Sequence, residues 1–169
     1  MDTSAALTND RVISIDTFKG SMRSIKLATV VIGISVLSGC ASMLSASAPV
    51  LAILSDDLFT GTAVGYADRT GTIDVVSSIN PNLRCVGNFA YIGSKVGRGE
   101  MRCNDGNIAN FQFNGLTMLS GYGYGTTTRG GLSFTFGLDS VEAAQYLTLP
   151  KGKALRQSPK DKKTLLVDV

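Results

Sequence analysis

Residues 84–114 read RCVGNFAYIGSKVGRGEMRCNDGNIANFQFN. Apolar and polar side chains alternate along this stretch, and Gly-Ser or Asn-Asp-Gly-Asn breaks the alternation at short intervals. Period-two alternation sends successive side chains to opposite faces, which is strand behaviour. Phe111-Gln112-Phe113 puts two rings on one face and an amide on the other, and Phe134-Thr135-Phe136 repeats the arrangement. From Gly61 to Gly137 the chain holds fifteen glycines and almost no helical periodicity. Strands are expected near 59–67, 71–79, 84–92, 97–104, 108–114, 117–126 and 131–137. Asp68-Arg69-Thr70-Gly71, Asn80-Pro81-Asn82 and Asn104-Asp105-Gly106-Asn107 supply turn chemistry between them. The expected fold is all-β: an antiparallel meander forming a small barrel or sandwich, with one face of the sheet buried and the other wet.

Past the last strand, Asp139 reads as the N-cap of a short C-terminal helix with Glu142 at its third position. Pro150-Lys151-Gly152 ends it, so the β domain is expected over 56–150. Residues 151–169 carry six basic side chains against Asp161 and Asp168. They read as a basic flexible tail, dispensable for folding beyond Leu155, unless Leu165-Leu166-Val167 docks as an edge strand. Residues 40–150 hold six basic and eight acidic side chains. A near-neutral body with a basic end does not resemble a nucleic-acid binder, which spreads Lys and Arg over a folded face.

Of 169 residues, 44% are hydrophobic and 17% charged, so a packed core is expected and disorder is not. Histidine is absent, which removes the usual general base at neutral pH and the commonest metal ligand. Neither Ser-x-x-Lys nor Gly-x-Ser-x-Gly occurs. Asp56, Asp57 and Asp68 are the acidic residues that an enzyme or a calcium site would use. Adjacent aspartates point to opposite faces of a strand, so turn formation is the simpler role. The expectation is a non-enzymatic protein without a cofactor.

The N-terminal region has its own order. Met22-Arg23-Ser24-Ile25-Lys26 is a short basic segment, Leu27 to Leu37 is uncharged and apolar, and Leu37-Ser38-Gly39-Cys40 follows. This succession resembles the signal peptide and lipobox of bacterial lipoproteins. The resemblance implies removal of residues 22–39, diacylglycerol on the Cys40 thiol, and a membrane partner through that anchor. Residues 40–55 would then be a lipidated tether or a first element of the fold. Ala41 after the cysteine implies the outer membrane, facing the periplasm or exposed at the surface. Residues 1–21, with Asp2, Asp10 and Asp16, suit no signal peptide and read as an extension ahead of a true start at Met22. The alternative is an uncleaved transmembrane helix, since no charge stands between Lys26 and Asp56. Pro49 and the serines between Ser42 and Ser47 oppose it.

With Cys40 lipidated, Cys85 and Cys103 remain in an exported chain, and two thiols make one disulfide. If the two are opposed on neighbouring strands, Gly87 faces Met101, Phe89 faces Gly99 and Tyr91 faces Gly97, which is a self-consistent register. The succession Cys85-x-Gly87-x-Phe89, then Gly97-x-Gly99-x-Met101-x-Cys103-x-Asp105-Gly106, resembles one membrane occupation and recognition nexus repeat over residues 85–111. That resemblance implies a β-hairpin and a scaffolding role.

Gly121-Tyr122-Gly123-Tyr124-Gly125 places two tyrosines on one strand face and three glycines on the other. A bare glycine face invites close approach of another backbone. Tyr122 and Tyr124, with Arg129, form the candidate protein-binding surface, because Tyr and Arg dominate interface hot spots. The other reading is that the rings serve the barrel or sandwich wall. Taken together, the sequence suggests an envelope lipoprotein that binds a protein or cell-wall partner or plays a structural part. A surface adhesin or inhibitor is the first alternative, and an envelope enzyme using the three aspartates is the second.

Overall fold

The computed structural model describes residues 45–169; the lipobox and all of the chain before Ser45 lie outside the described residues. Eight antiparallel strands close into a barrel in chain order. They are β1 (Ser45–Leu54), β2 (Asp57–Tyr66), β3 (Thr70–Ser77), β4 (Arg84–Tyr91), β5 (Val96–Cys103), β6 (Ile108–Gly115), β7 (Gly121–Thr127) and β8 (Gly130–Phe136). β8 returns to pair with β1, so the meander resolves as a barrel. Residues 45–54, left open by the sequence between tether and fold, form the strand that closes it, and the β domain begins at Ser45 instead of 56. β7 starts later than expected because Leu116–Ser120 form a loop. In it the Leu116 N–H donates to the Ser120 carbonyl at 2.8 Å, and the Thr117 and Ser120 hydroxyls meet at 2.7 Å.

Inside the barrel, large side chains alternate with glycines around the wall. One ring of positions runs Gly71, Phe89, Gly99, Phe111 and Gly125 across β3 to β7. The next runs Tyr91, Gly97, Phe113, Gly123 and Phe134 across β4 to β8. Each phenyl ring lies over a neighbouring glycine and fills the space a Cβ would take. A Cβ on Gly97 would strike the tip of the Phe113 ring and stand 2.8 Å from the Ala90 carbonyl oxygen. The rings then meet edge to face, Phe89–Phe113 at 5.5 Å, Tyr91–Phe113 at 4.9 Å and Phe111–Phe134 at 5.1 Å between centroids. The glycine face of β7 is thus occupied by the Phe136 and Phe134 rings and, at Gly125, by the Cβ of Phe111, and no foreign backbone is needed to cover it.

One end of the barrel is plugged. Cys85 faces Cys103 across β4 and β5 and is bonded to it, with Gly87 opposite Met101, Phe89 opposite Gly99 and Tyr91 opposite Gly97. Around this disulfide pack Phe59, Val75, Met101 and Leu132, all buried. A disulfide that closes a loop of this size typically contributes roughly 3 kcal/mol.

A second apolar cluster lies on the outside of β1 and β2. Leu51, Ile53 and Leu58 point away from the barrel interior and are covered by Ala143 and Leu147, with Leu155 and Leu166 packed against them. The helix α1 (Ser140–Ala143) starts at Asp139, whose carboxylate accepts from the Val141 and Glu142 N–H groups at 2.8 and 2.9 Å. The last segment forms a hairpin of β9 (Lys153–Gln157) and β10 (Thr164–Asp168), with Leu166 opposite Leu155. This corrects the expectation of a flexible tail. Three large apolar side chains on an outer strand face cannot be left wet, and the leucines of the hairpin help to cover them. Of the basic residues that suggested a solvated tail, Arg156 occupies the hairpin's other face and Lys160, Lys162 and Lys163 its turn, while Lys153, at the strand end beside Leu155, pairs with Asp168 at 2.6 Å.

Truncation after Leu155 strips Leu166 and the partner strand from this cluster. It is expected to cost about 2–4 kcal/mol, which for a domain of this size lowers Tm on the order of 10 °C. Thermal denaturation followed by circular dichroism measures it; an unchanged Tm would mean that the hairpin contributes nothing.

Candidate functional site: the open end of the barrel

The other end of the barrel is open, and the backbone explains why. β8 pairs with β1 only as far as Phe136 opposite Val50, and Gly137, at φ 66°, turns the chain away. β1 and β2 continue past this point to Ser45 opposite Tyr66. The inward-facing residues of that projecting hairpin are Ala46, Ala48, Ala63 and Gly65, too small to fill the space they enclose. The result is a cavity of about 1020 Å³ walled by these small residues and bounded below by Phe89, Tyr91 and Phe136. Beneath that aromatic floor only a void of about 30 Å³ remains, so the cavity ends there. An eight-stranded barrel is just wide enough to be filled by side chains or to hold one small ligand, and this one does the first at one end and leaves room for the second at the other.

The rim is made by the turns β2–β3, β4–β5 and β6–β7, which contribute Arg69, Lys95, Met118 and Leu119. Arg69 holds two of them together. Its guanidinium donates to the Gly93 carbonyl and lies 5.6 Å from the centroid of the Tyr91 ring, while the Tyr91 N–H donates to the Arg69 carbonyl at 2.9 Å. Arg69 adopts φ 69°, and the turn is fixed by Asp68, whose carboxylate accepts from the Thr70 hydroxyl at 2.7 Å and the Thr70 N–H at 3.0 Å. The bond from the Thr70 hydroxyl is the main reason that the Asp68 carboxyl sits below the usual carboxylate range.

The three aspartates do not form a site. Asp56 lies in the β1–β2 turn at the plugged end and Asp57 starts β2, accepting from the Ser77 hydroxyl. Asp68 follows the far end of the same ten-residue strand, a separation of roughly 30 Å. Among the described residues no group of three or more His, Cys, Asp or Glu side chains could hold a metal ion. The three carboxylates of the enzyme or calcium alternative are therefore not brought together: alternation and strand length pull Asp68 away from Asp56 and Asp57.

The tyrosine surface is partly assembled. Tyr122 and Tyr124 both point outward from β7, at 5.8 Å between centroids, so neither belongs to the interior. Tyr122 is half-buried because Tyr146, from the segment after α1, stacks on it at 4.5 Å and 19°. Tyr124 is 48% exposed. Arg129 stands apart in the β7–β8 turn at the plugged end, paired with Asp105 at 2.8 Å. A chain with period-two alternation places Arg129 at the end of a strand that Tyr122 begins, which separates it from the pair. Sequence reading missed Ala46, Ala48, Ala63 and Gly65; the available signal was a run of small residues at positions where the other strands carry rings.

Tyr122→Ser is expected to cost about 1–2 kcal/mol, through the lost stack on Tyr146 and lost burial. Tyr124→Ser is expected to stay within about 0.5 kcal/mol of the parent. Urea denaturation of the two variants separates them, and equal losses would contradict the asymmetry.

Comparison of the chain with protein-family models, with curated proteins and with solved structures gave no match.

Proposed function

We propose that this chain is a non-enzymatic envelope lipoprotein, anchored by lipid on Cys40, whose barrel is a binding module for an apolar or amphipathic small molecule. One observation carries the binding reading: the barrel is packed solid at one end, while at the other alanines and a glycine stand around an aromatic floor. Ligand sites are concave, about 300–1,000 Å³ in volume and mostly apolar, with a few polar groups at the edge to orient the ligand. The cavity of about 1020 Å³ is of that size, and Arg69 and Lys95 at its rim are placed to meet an anionic head while the tail lies against Phe89, Tyr91 and Phe136. A medium-chain fatty acid or a lipid acyl chain has this shape.

The second reading, a surface for a protein or the cell wall, is favoured by a different feature. Asn88, Asn110, Gln112, Asn114 and Tyr124 line a shallow trough of about 1250 Å³ on the outer wall. Amides beside an exposed ring suit a polar polymer such as a glycan strand.

The described residues, 45–169, form a compact unit and can be assayed without the anchor. A fatty acid carrying an environment-sensitive fluorophore is expected to bind that unit saturably with a blue shift. Ala63→Phe, which fills the cavity, is expected to weaken binding by about tenfold or more, and Gln112→Ala in the trough to leave it unchanged. Absence of saturable binding, or equal binding by Ala63→Phe with retained folding, would refute the cavity reading.

A further inference from the structure

The open end of the barrel is also the end at which the chain would leave for its anchor. β1 begins at Ser45 beside the β2–β3 turn, and Ser45 and Ala46 line the cavity. Cys40 precedes Ser45 by five residues, so the two are separated by at most about 17 Å even with the chain fully extended. A lipid on Cys40 therefore keeps this end within reach of the bilayer surface. The barrel between the two ends is about 25 Å long.

The two ends differ in what they present. The turns at the open end carry Ile92 at 60% exposure, Met118 at 93% and Leu119 at 52%. The turns at the plugged end carry one comparable side chain, Ile79 at 78%. Charges follow the same division. Asp68, Arg69 and Lys95 give the open-end turns a net +1, whereas Asp56, Asp105 and Arg129 give the plugged-end turns a net −1. Apolar side chains at loop tips with basic groups beside them suit an interface where tails begin and anionic headgroups end. The outer wall suits it less: the row Thr72, Asn88, Glu100, Asn110 and Thr126 crosses β3 to β7 with no apolar member, and exposed Val86 stands between Asp74 and Arg102, unlike the continuous apolar band of a barrel that spans the bilayer.

We infer that the open rim docks on the membrane that holds the anchor. Ile92, Met118 and Leu119 enter the headgroup–acyl boundary, Arg69 and Lys95 lie at the level of lipid phosphates, and the cavity opens directly onto the lipids. The inference rests on the proposed lipidation of Cys40, and it deepens the proposed ligand class to an acyl chain taken from the same membrane. The plugged end, with the Asp105–Arg129 pair, faces away from the bilayer.

The test uses the mature lipidated protein, purified from membranes and reconstituted in phosphatidylethanolamine–phosphatidylglycerol vesicles. Single cysteines replace Ile92 and Met118 at the open end and Asn82 and Thr128 at the plugged end, each labelled with an environment-sensitive dye. Nitroxide-labelled lipids quench only dyes close to the bilayer. Labels at 92 and 118 are expected to lose most of their emission, and labels at 82 and 128 to keep theirs. Arg69→Glu combined with Lys95→Glu is expected to relieve quenching at 118 while flotation with the vesicles persists. Equal quenching at both ends, or stronger quenching at 82 and 128, overturns the docking while leaving the anchor intact. Flotation of the parent protein, compared with Cys40→Ala, reads the anchor separately: if the parent fails to float, both readings fall.

Discussion

The rings of Phe89, Phe111, Phe113, Phe134 and Phe136 each lie across a glycine of a neighbouring strand, and that fit decides the register, the closure and the shape of the interior. A slip of one residue would turn every ring to the wet face. A slip of two between β5 and β6 would set Phe111 against Met101, or leave Phe113 opposite Lys95 beyond the glycines. Large beside absent is the one arrangement by which Phe89, Phe111, Phe113 and Phe134 fill a barrel of eight strands without overpacking it. Glycine in a strand ordinarily weakens it, by roughly 0.5–1 kcal/mol against alanine. Here a ring covers the bare backbone, and its burial outweighs that loss, at about 1.5–3 kcal/mol for each phenylalanine.

The same fit explains the polarity of the molecule from one end to the other. At the plugged end the Cys85–Cys103 bond and medium-sized apolar side chains close the interior. In the middle the rings form a layer. At the open end the ring–glycine alternation gives way to Ala46, Ala48, Ala63 and Gly65 on a hairpin that outruns its neighbour, and the interior becomes a cavity. The C-terminal segment answers a separate need. Once β1 closes the barrel with Val50, Ala52 and Leu54 inward, its other face carries Leu51 and Ile53 outward, and a second layer must cover them. A strand apolar on both faces needs packing on both sides.

Much of this was legible in the residues. Alternation and turn chemistry located seven of the strands, and the cysteine spacing fixed the β4–β5 register. β1 was obscured because it is apolar on both faces and so lacks alternation, and because it follows an apolar segment in the sequence. The β9–β10 hairpin was obscured by its lysines, which cluster in its turn and at its open end and look the same as a solvated tail. The cavity was not read. It arises from small residues, and smallness signals nothing until the strands beside it are known to carry rings. The aspartates show the opposite error: near neighbours in sequence are set at opposite ends of one strand.

The most direct measurement of the ring–glycine fit is a double-mutant cycle on Gly97 and Phe113. Alanine for glycine in a strand normally stabilises, so the sign of the effect is decisive. The Phe113 ring is held by Phe89, Tyr91 and Phe136 at 5.5, 4.9 and 5.9 Å and has little freedom to yield. Gly97→Ala is therefore expected to destabilise by about 1–3 kcal/mol, and to cost clearly less in a Phe113→Leu background. A neutral or stabilising Gly97→Ala, or a penalty unchanged by Phe113→Leu, would contradict the account.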